Sequence, residues 1–313
     1  MSALHDALEE YLAVRRSLGF ELRRPAGLLR NFVAFLDANE ATYITQALAL
    51  RWAEQPTDAQ PATWAGRLGM VRGFARWRRV SDPRTEVPAD GLLPERYHRH
   101  SPYLYSDEEI ERLLGAAAEL PSANGLRACS YTTLFALLAV TGLRVSEAIR
   151  LDRADVDWEQ GLLTIRRTKF GKSRLVPVHR STREALERYD AQRTGVFPQS
   201  ATPAFFLSER GGRLTDWSAR YTFAKLSQRI GLRAAASGHG RGPRIHDMRH
   251  RFAVRTLIHW YRTGVDVERE LPKLATYLGH VHVNETYWYL EVVPELLQLA
   301  SQRLMENAEE VRA

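Results

Sequence analysis

Apolar positions recur at helical spacing through the first 80 residues. Leu4, Leu8, Tyr11 and Leu12 form one stripe, and Leu28, Leu29, Phe32, Val33 and Phe35 form a second. Ile44 to Trp52 gives a third and Trp64 to Trp77 a fourth. Pro25 and Pro61 stand near helix starts, where a missing backbone N–H leaves nothing unpaired. Residues 81–104 lose the period, and their prolines and polar residues predict an extended linker. Helical signals return at Ser106, with Asp107 and Glu108 in a first turn and Glu109 placed to complete a capping box. A long apolar helix around Leu126 to Val140 ends at Thr141-Gly142, and a short polar helix begins near Val145. Residues 162–167 and 174–178 alternate like the arms of a hairpin, with Lys169, Gly171 and Lys172 at its turn. Helices are expected at 181–193, 215–230, 246–262, 266–278 and 294–308, with a loop over 237–243. The pattern predicts a mainly α protein with a small β-hairpin or sheet.

The 313 residues suggest two domains. With 44% apolar and 26% charged residues, the chain has the composition of a globular protein with a sizeable core. A single cysteine excludes an internal disulfide framework. The longest apolar run falls short of the roughly 20 residues a membrane-spanning helix takes. Acidic residues also stand near the N-terminus where a signal peptide would be basic, so a cytoplasmic protein without a membrane partner is expected. The net charge of +7 favours a polyanionic partner. Only 4 of the 44 basic residues are lysines, so Lys169 and Lys172, three residues apart, stand out from an arginine-rich background. The fourth helix carries Arg67, Arg72, Arg76, Arg78 and Arg79 among aromatic residues, a face suited to phosphates or simply to solvent.

Four segments carry candidate chemistry. In Thr141-Gly-Leu-Arg-Val-Ser-Glu-Ala148, Gly142 lets the chain turn and presents Arg144 at a helix start, where a bound anion would offset the dipole. Glu147 stands three residues on, placed to orient the guanidinium or to form a plain surface ion pair. The turn Thr168-Lys-Phe-Gly-Lys172 holds a lysine able to protonate a leaving oxygen, although most turn lysines only face water. In Arg244-Ile-His-Asp-Met-Arg-His-Arg-Phe252, His246 and Arg249 share a helix face. Tyr277-Leu-Gly-His280 reads as a helix end capped by Gly279, and Thr286-Tyr-Trp-Tyr289 follows it.

Taken in order, TGLRVSEA, a lysine hairpin ending in RLVPV, HDMRHRFA, LGH and a tyrosine nine residues later resemble the tyrosine recombinase (phage integrase) family, over roughly residues 104 to 293. The order and spacing are similar to those of Xer-like recombinases. The resemblance implies catalytic roles for Arg144, Lys169, His246, Arg249 and His280, with Tyr289 as nucleophile. Tyr287 is a nearby alternative, disfavoured by the spacing from His280. Lys172, Arg174 and Arg244 would touch DNA beside them, joining the arginines of the fourth helix. The implied architecture is a helical core-binding (SAM-like) domain over 1–85, a linker over 86–104 and a catalytic domain over 105–313, closing as a clamp around DNA. The C-terminal helix at 294–308 would pack in trans on a neighbouring subunit. The implied activity is site-specific strand cleavage and rejoining through a 3′-phosphotyrosyl intermediate, without metal, ATP or other cofactor. The implied partners are duplex recombination sites and a homotetramer on DNA, alone or with sister recombinases. The biological task would be integration, transposition or resolution of a mobile element, with Xer-type chromosome-dimer resolution as an alternative.

Three other readings stay open on sequence. A type IB topoisomerase shares the chemistry but does not exchange partners. His246 and His250 have the i, i+4 spacing of a zinc hydrolase, with aspartate where that motif carries glutamate. A DNA-binding module without catalysis is the third.

Overall fold

The computed structural model describes residues 2–94, 101–166, 173–234 and 242–310, and the chain divides into two compact units, 1–100 and 101–313. The expected turn lysines, Lys169 and Lys172, and most of the 237–243 loop lie outside the described residues.

The first unit holds four helices: α1 (Ala3–Ser17), α2 (Arg23–Ala38), α3 (Gln46–Ala53) and α4 (Pro61–Arg78). Local chemistry sets their starts. Ser2 caps α1 by accepting the His5 N–H, Thr45 caps α3 by accepting the Leu48 N–H, and Pro61 opens α4. The apolar stripes meet around Leu8, Leu12, Phe32, Leu36, Trp52 and Phe74, all fully buried. The Trp52 indole N–H is satisfied by Asn31 Oδ1 at 2.9 Å, which makes its burial affordable.

Two arginines of α4 serve this packing. Arg72 is buried and donates to the carbonyls of Pro88 and Ala89, each at 2.8 Å, and pairs with Asp90 at 2.9 Å. Arg67 lies 3.9 Å over the Trp52 ring and donates to the Trp52 carbonyl. The donors of Arg72 are thus engaged by internal carbonyls and Asp90, whereas Arg67 engages one carbonyl through Nη2 and its Nε has no hydrogen-bond partner. Arg76 and Arg79 are exposed, and Arg78 is half-buried beside Ser81. The first residues of the expected linker, 86–89, also bond to the start of α3. Glu86 N donates to the Ile44 carbonyl, Glu86 accepts from Gln46 N, and Ala89 N donates to Gln46, so this stretch is part of the first unit.

The second unit opens with α5 (Asp107–Ala118), whose capping box between Ser106 and Glu109 is fully formed. The buried α6 (Leu126–Thr141) follows, then α7 (Val145–Arg150) and a single 3₁₀ turn at Arg153–Asp155. Next comes an antiparallel sheet of β1 (Val156–Asp157), β2 (Leu162–Ile165) and β3 (Arg174–Pro177) in that spatial order. Leu163 pairs with Val176 on its core face and Ile165 with Arg174. The remaining helices are α8 (Arg180–Val196), α9 (Asp216–Arg229), α10 (Asp247–Arg262), α11 (Val267–Leu278), α12 (Asn284–Val292) and α13 (Pro294–Glu310).

One core of this unit packs α6 and the sheet against α8 and α9, through Leu134, Phe135, Tyr189, Phe205 and Phe206. A smaller one lies among α10 to α13, through Val254, Leu257, Leu271, Leu278 and Leu296. The C-terminal helix belongs to this second core. Leu296 is fully buried there, Arg303 donates to the Val265 and Gly264 carbonyls, and Glu295 pairs with Arg262. Within the single chain the helix thus packs on its own domain, while Leu297, Leu304 and Met305 on it stay exposed. Leu296 and Arg303 both find partners on their own domain.

Candidate active site

The site is organised around the end of α11. The last carbonyls of a helix have no partner within it and carry the negative end of the dipole. Here three guanidiniums take three consecutive ones. Arg174 Nε donates to Tyr277 O at 2.8 Å, Arg249 to Leu278 O at 2.7 Å and Arg144 to Gly279 O at 3.2 Å. Gly279 makes the turn possible, with φ at +71° and Arg174 packed where a Cβ would stand.

Each arginine arrives from a different element. Arg144 is the residue before α7, placed there because Gly142 ends α6 in the left-handed region with φ at +62°. Its Nη1 pairs with Glu147 Oε1 at 2.8 Å, and its backbone N–H donates to Glu147 Oε2 at 3.0 Å. Arg249 sits in the first turns of α10, buried, with its other donor on the Gly142 carbonyl at 2.9 Å. Arg174 opens β3 and grips both oxygens of Glu147, at 3.1 and 2.9 Å. It was expected to contact DNA. Its buried guanidinium is instead committed to Glu147 and Tyr277, so it braces the pocket from behind. Arg244 is exposed, and its guanidinium and backbone N–H both hold Asp247.

The electrostatics follow from this crowding. Burial by itself would raise the Glu147 pKa; the hydrogen bonds and charge of Arg174, then those of Arg144, reverse this and bring it down to about 2. Burial, reinforced by the charge of Arg144, lowers the Arg249 pKa to about 10. Three guanidiniums around one carboxylate leave net positive charge in a poorly hydrated place. A bound anion would relieve that imbalance.

His246 lies just before α10. Desolvation of the ring, then His250 and Arg249, push its pKa below the ordinary value, although the residue as a whole is exposed. It is therefore a neutral hydrogen-bonding group near pH 7. His280 follows Gly279 and shares a 2.7 Å hydrogen bond between its Nδ1 and Thr286 Oγ1. The two tyrosines on α12 part ways. Tyr287 is 44% exposed, whereas Tyr289 is 2% exposed and turned inward. The Tyr289 ring stacks 6.4 Å from His280, its hydroxyl lies 3.1 Å from His250 Nδ1, and it is near enough for its charge to bear on Arg249. The structure thus gathers Arg144, His246, Arg249, His280 and Tyr289 at one place. It adds Arg174 as a brace and His250 beside the tyrosine. The sequence signal for the brace was an arginine opening a strand, and for His250 a histidine directly after Arg249; neither spacing reveals a partner.

The chain matches the model of the phage integrase family over residues 104–295. It is 51% identical to the integrase/recombinase-like protein y4rB of Sinorhizobium fredii, with 99% of each chain covered. It is 33% identical to the tyrosine recombinase XerD of Caulobacter vibrioides, over 76% of this chain and 73% of that one. Among solved structures, the Tn1549 transposon integrase in complex with transposon right end DNA superposes with a TM-score of 0.68 at 16% identity, covering 96% and 99% of the two chains. A lambda integrase tetramer bound to a Holliday junction gives 0.61 at 18% identity, covering 90% and 78%.

Proposed function

The chain belongs to the phage integrase family, and from that premise we propose that it is a tyrosine recombinase that cuts and rejoins DNA at specific sites. Tyr289 attacks a phosphodiester and becomes linked to its 3′-phosphate. The 5′-hydroxyl it releases is later replaced by one from another strand. A phenol has a pKa of about 10, so only about one in a thousand is ionised at pH 7. The reaction therefore needs surrounding positive charge and a route for the proton. Arg144 and Arg249 neutralise the two non-bridging oxygens as charge builds up. An arginine so placed on a phosphoryl transition state is worth roughly 10³–10⁵ in rate. Lys169 protonates the departing 5′-oxygen, and His246 and His280 hold phosphate oxygens. Because the phosphotyrosyl ester keeps the energy of the broken bond, rejoining needs no ATP.

The observation that carries this reading is that Tyr289 is buried with its hydroxyl 3.1 Å from His250, the residue after Arg249, whereas Tyr287 is exposed. Two DNA duplexes exchange strands through four such sites, which calls for a homotetramer on duplex recombination sites. The setting is cytoplasmic; among the described residues no helix is long and apolar enough to cross a membrane. The high similarity to y4rB and the transposon integrase likeness support a role in integration, transposition or resolution of a mobile element. The XerD similarity keeps chromosome-dimer resolution as the second reading.

The test is covalent capture on a pool of nicked duplexes with randomised flanks. Adducts should form with the wild type and with Tyr287→Phe, and be absent with Tyr289→Phe. Sequencing the captured DNA yields the target site. Adducts that persist in Tyr289→Phe would overturn the assignment, and no adducts from the wild type would overturn the activity.

A further inference from the structure

His250 follows Arg249 on α10 and is buried. Its Nδ1 lies 3.1 Å from the Tyr289 hydroxyl, with the two rings 5.5 Å apart. Trp288 packs edge-on against the same imidazole at 5.4 Å, and His246 at 4.9 Å. On the far side of the ring, Nε2 is 4.0 Å from Asp247 Oδ1. That is too long for a hydrogen bond. It is close enough for a carboxylate to favour a proton on Nε2 and to stabilise a positive imidazole. Asp247 is itself fixed by three donors of Arg244. With the proton on Nε2, Nδ1 is the acceptor that faces the phenol.

We infer that His250 is the proton acceptor for Tyr289, an inference that rests on Tyr289 being the nucleophile. As the Tyr289 oxygen bonds to phosphorus, its proton passes to His250 Nδ1. The bond from phosphorus to the 5′-oxygen breaks, and that oxygen takes a proton from a separate donor, Lys169 in the reading above. In rejoining, an incoming 5′-hydroxyl gives its proton back to that donor as its oxygen bonds to phosphorus; the bond from phosphorus to Tyr289 breaks, and His250 returns its proton to the phenolic oxygen. The arginines of the pocket hold their protons and cannot serve as acceptors. His280 stacks on the face of the Tyr289 ring at 6.4 Å, whereas His250 stands 3.1 Å from its hydroxyl. His250 thus acts on the attacking oxygen, and the hairpin lysine on the leaving one.

The two roles separate in single-turnover cleavage of a captured duplex made with either oxygen or sulfur at the scissile 5′ position. Sulfur leaves without a proton, so it rescues loss of the proton donor but not loss of the acceptor. His250→Asn keeps an amide oxygen near the Nδ1 position without its basicity. It should slow adduct formation by about 10²-fold on both substrates, in the range typical of proton-transfer catalysis, with DNA affinity unchanged. Added imidazole should restore part of the rate to His250→Gly. If His250→Asn does not fold, His250→Gln in the same assay decides. Cleavage at the wild-type rate, or a defect rescued by sulfur, would overturn the inference. Tyr289→Phe run alongside tells the failures apart. An inactive Tyr289→Phe with a fully active His250 variant removes only the role of His250, whereas an active Tyr289→Phe removes the nucleophile assignment beneath it.

Discussion

Arg174 holds both carboxylate oxygens of Glu147, at 3.1 and 2.9 Å, and Glu147 in turn holds Arg144. Arg144 is therefore positioned by a residue 30 positions away that need never touch the phosphate. Arg174→Ala leaves a buried carboxylate half-paired and removes the donor from Tyr277 O. Breaking a buried pair in this way typically destabilises by about 3–5 kcal/mol. A thermal melt should show this loss. Arg174→Lys should melt closer to the wild type yet form adducts slowly, since an ammonium cannot span both oxygens.

The same carboxylate sets an acid limit. Its folded pKa of about 2 lies below the ordinary 4.5. Its contribution is therefore complete above about pH 4.5 and is lost as pH falls towards 2. The linked free energy is roughly 3 kcal/mol. Denaturant melts of the wild type should weaken across that window. Glu147→Gln should be less stable at pH 7 and lose less between pH 4.5 and 2. An equal slope in the two proteins would refute the linkage.

Gly279→Ala tests the turn that gathers the arginines. A Cβ there would stand 2.6 Å from Arg174 Nη1 and 2.8 Å from its Cζ, at a φ of +71°. The guanidinium is held by Glu147 and Tyr277 and cannot simply swing aside. Gly161→Ala is the control, with a φ of +65° and ordinary contact at 3.5 Å. Both should lose about 1–2 kcal/mol to backbone strain. Only Gly279→Ala should also lose adduct formation. Equal activity in the two variants would show that the pocket tolerates displacement of Arg174.

In the first unit, Arg76→Ala and Arg79→Ala should weaken DNA binding without changing the melting temperature. Each should reduce the slope of log affinity against log salt by about 1. Arg72→Ala should do the reverse, lowering the melting temperature through the freed carbonyls of Pro88 and Ala89 while leaving the salt slope unchanged. A reduced slope in Arg72→Ala would mean that its guanidinium leaves those carbonyls for phosphate.

The elements were legible wherever one short stretch contained its own signal. Ser106 and Glu109 announce α5, Pro61 announces α4, and Gly142 and Gly279 mark turns that the backbone does make. Arg144, Arg249 and Tyr289 could be picked out because they recur in a known order. The roles of Arg72 and Arg174 were not legible. A guanidinium looks the same in sequence whether it meets a phosphate or a buried carbonyl, and its partners here lie from 16 to 103 residues away. The placement of α13 was hidden for the same reason. Leu296 and Arg303 suit any apolar face with a nearby helix end, and only the fold shows that their own domain provides one. His250 has the spacing of a metal ligand from His246, yet its ring nitrogen faces a hydroxyl supplied 39 residues later.

The three successive carbonyls at 277–279 have a bearing on when this chain becomes dangerous to a genome. Arg144, Arg174 and Arg249 are all synthesised before the segment that fixes them in place, and Tyr289 emerges later still. A chain that stops short of that turn keeps Glu147 between Arg144 and Arg174 but lacks the three carbonyls that also hold Arg249, and it has no hydroxyl to aim. Under the function proposed above, the capacity to break a strand therefore arises only once residues 277–289 have been made.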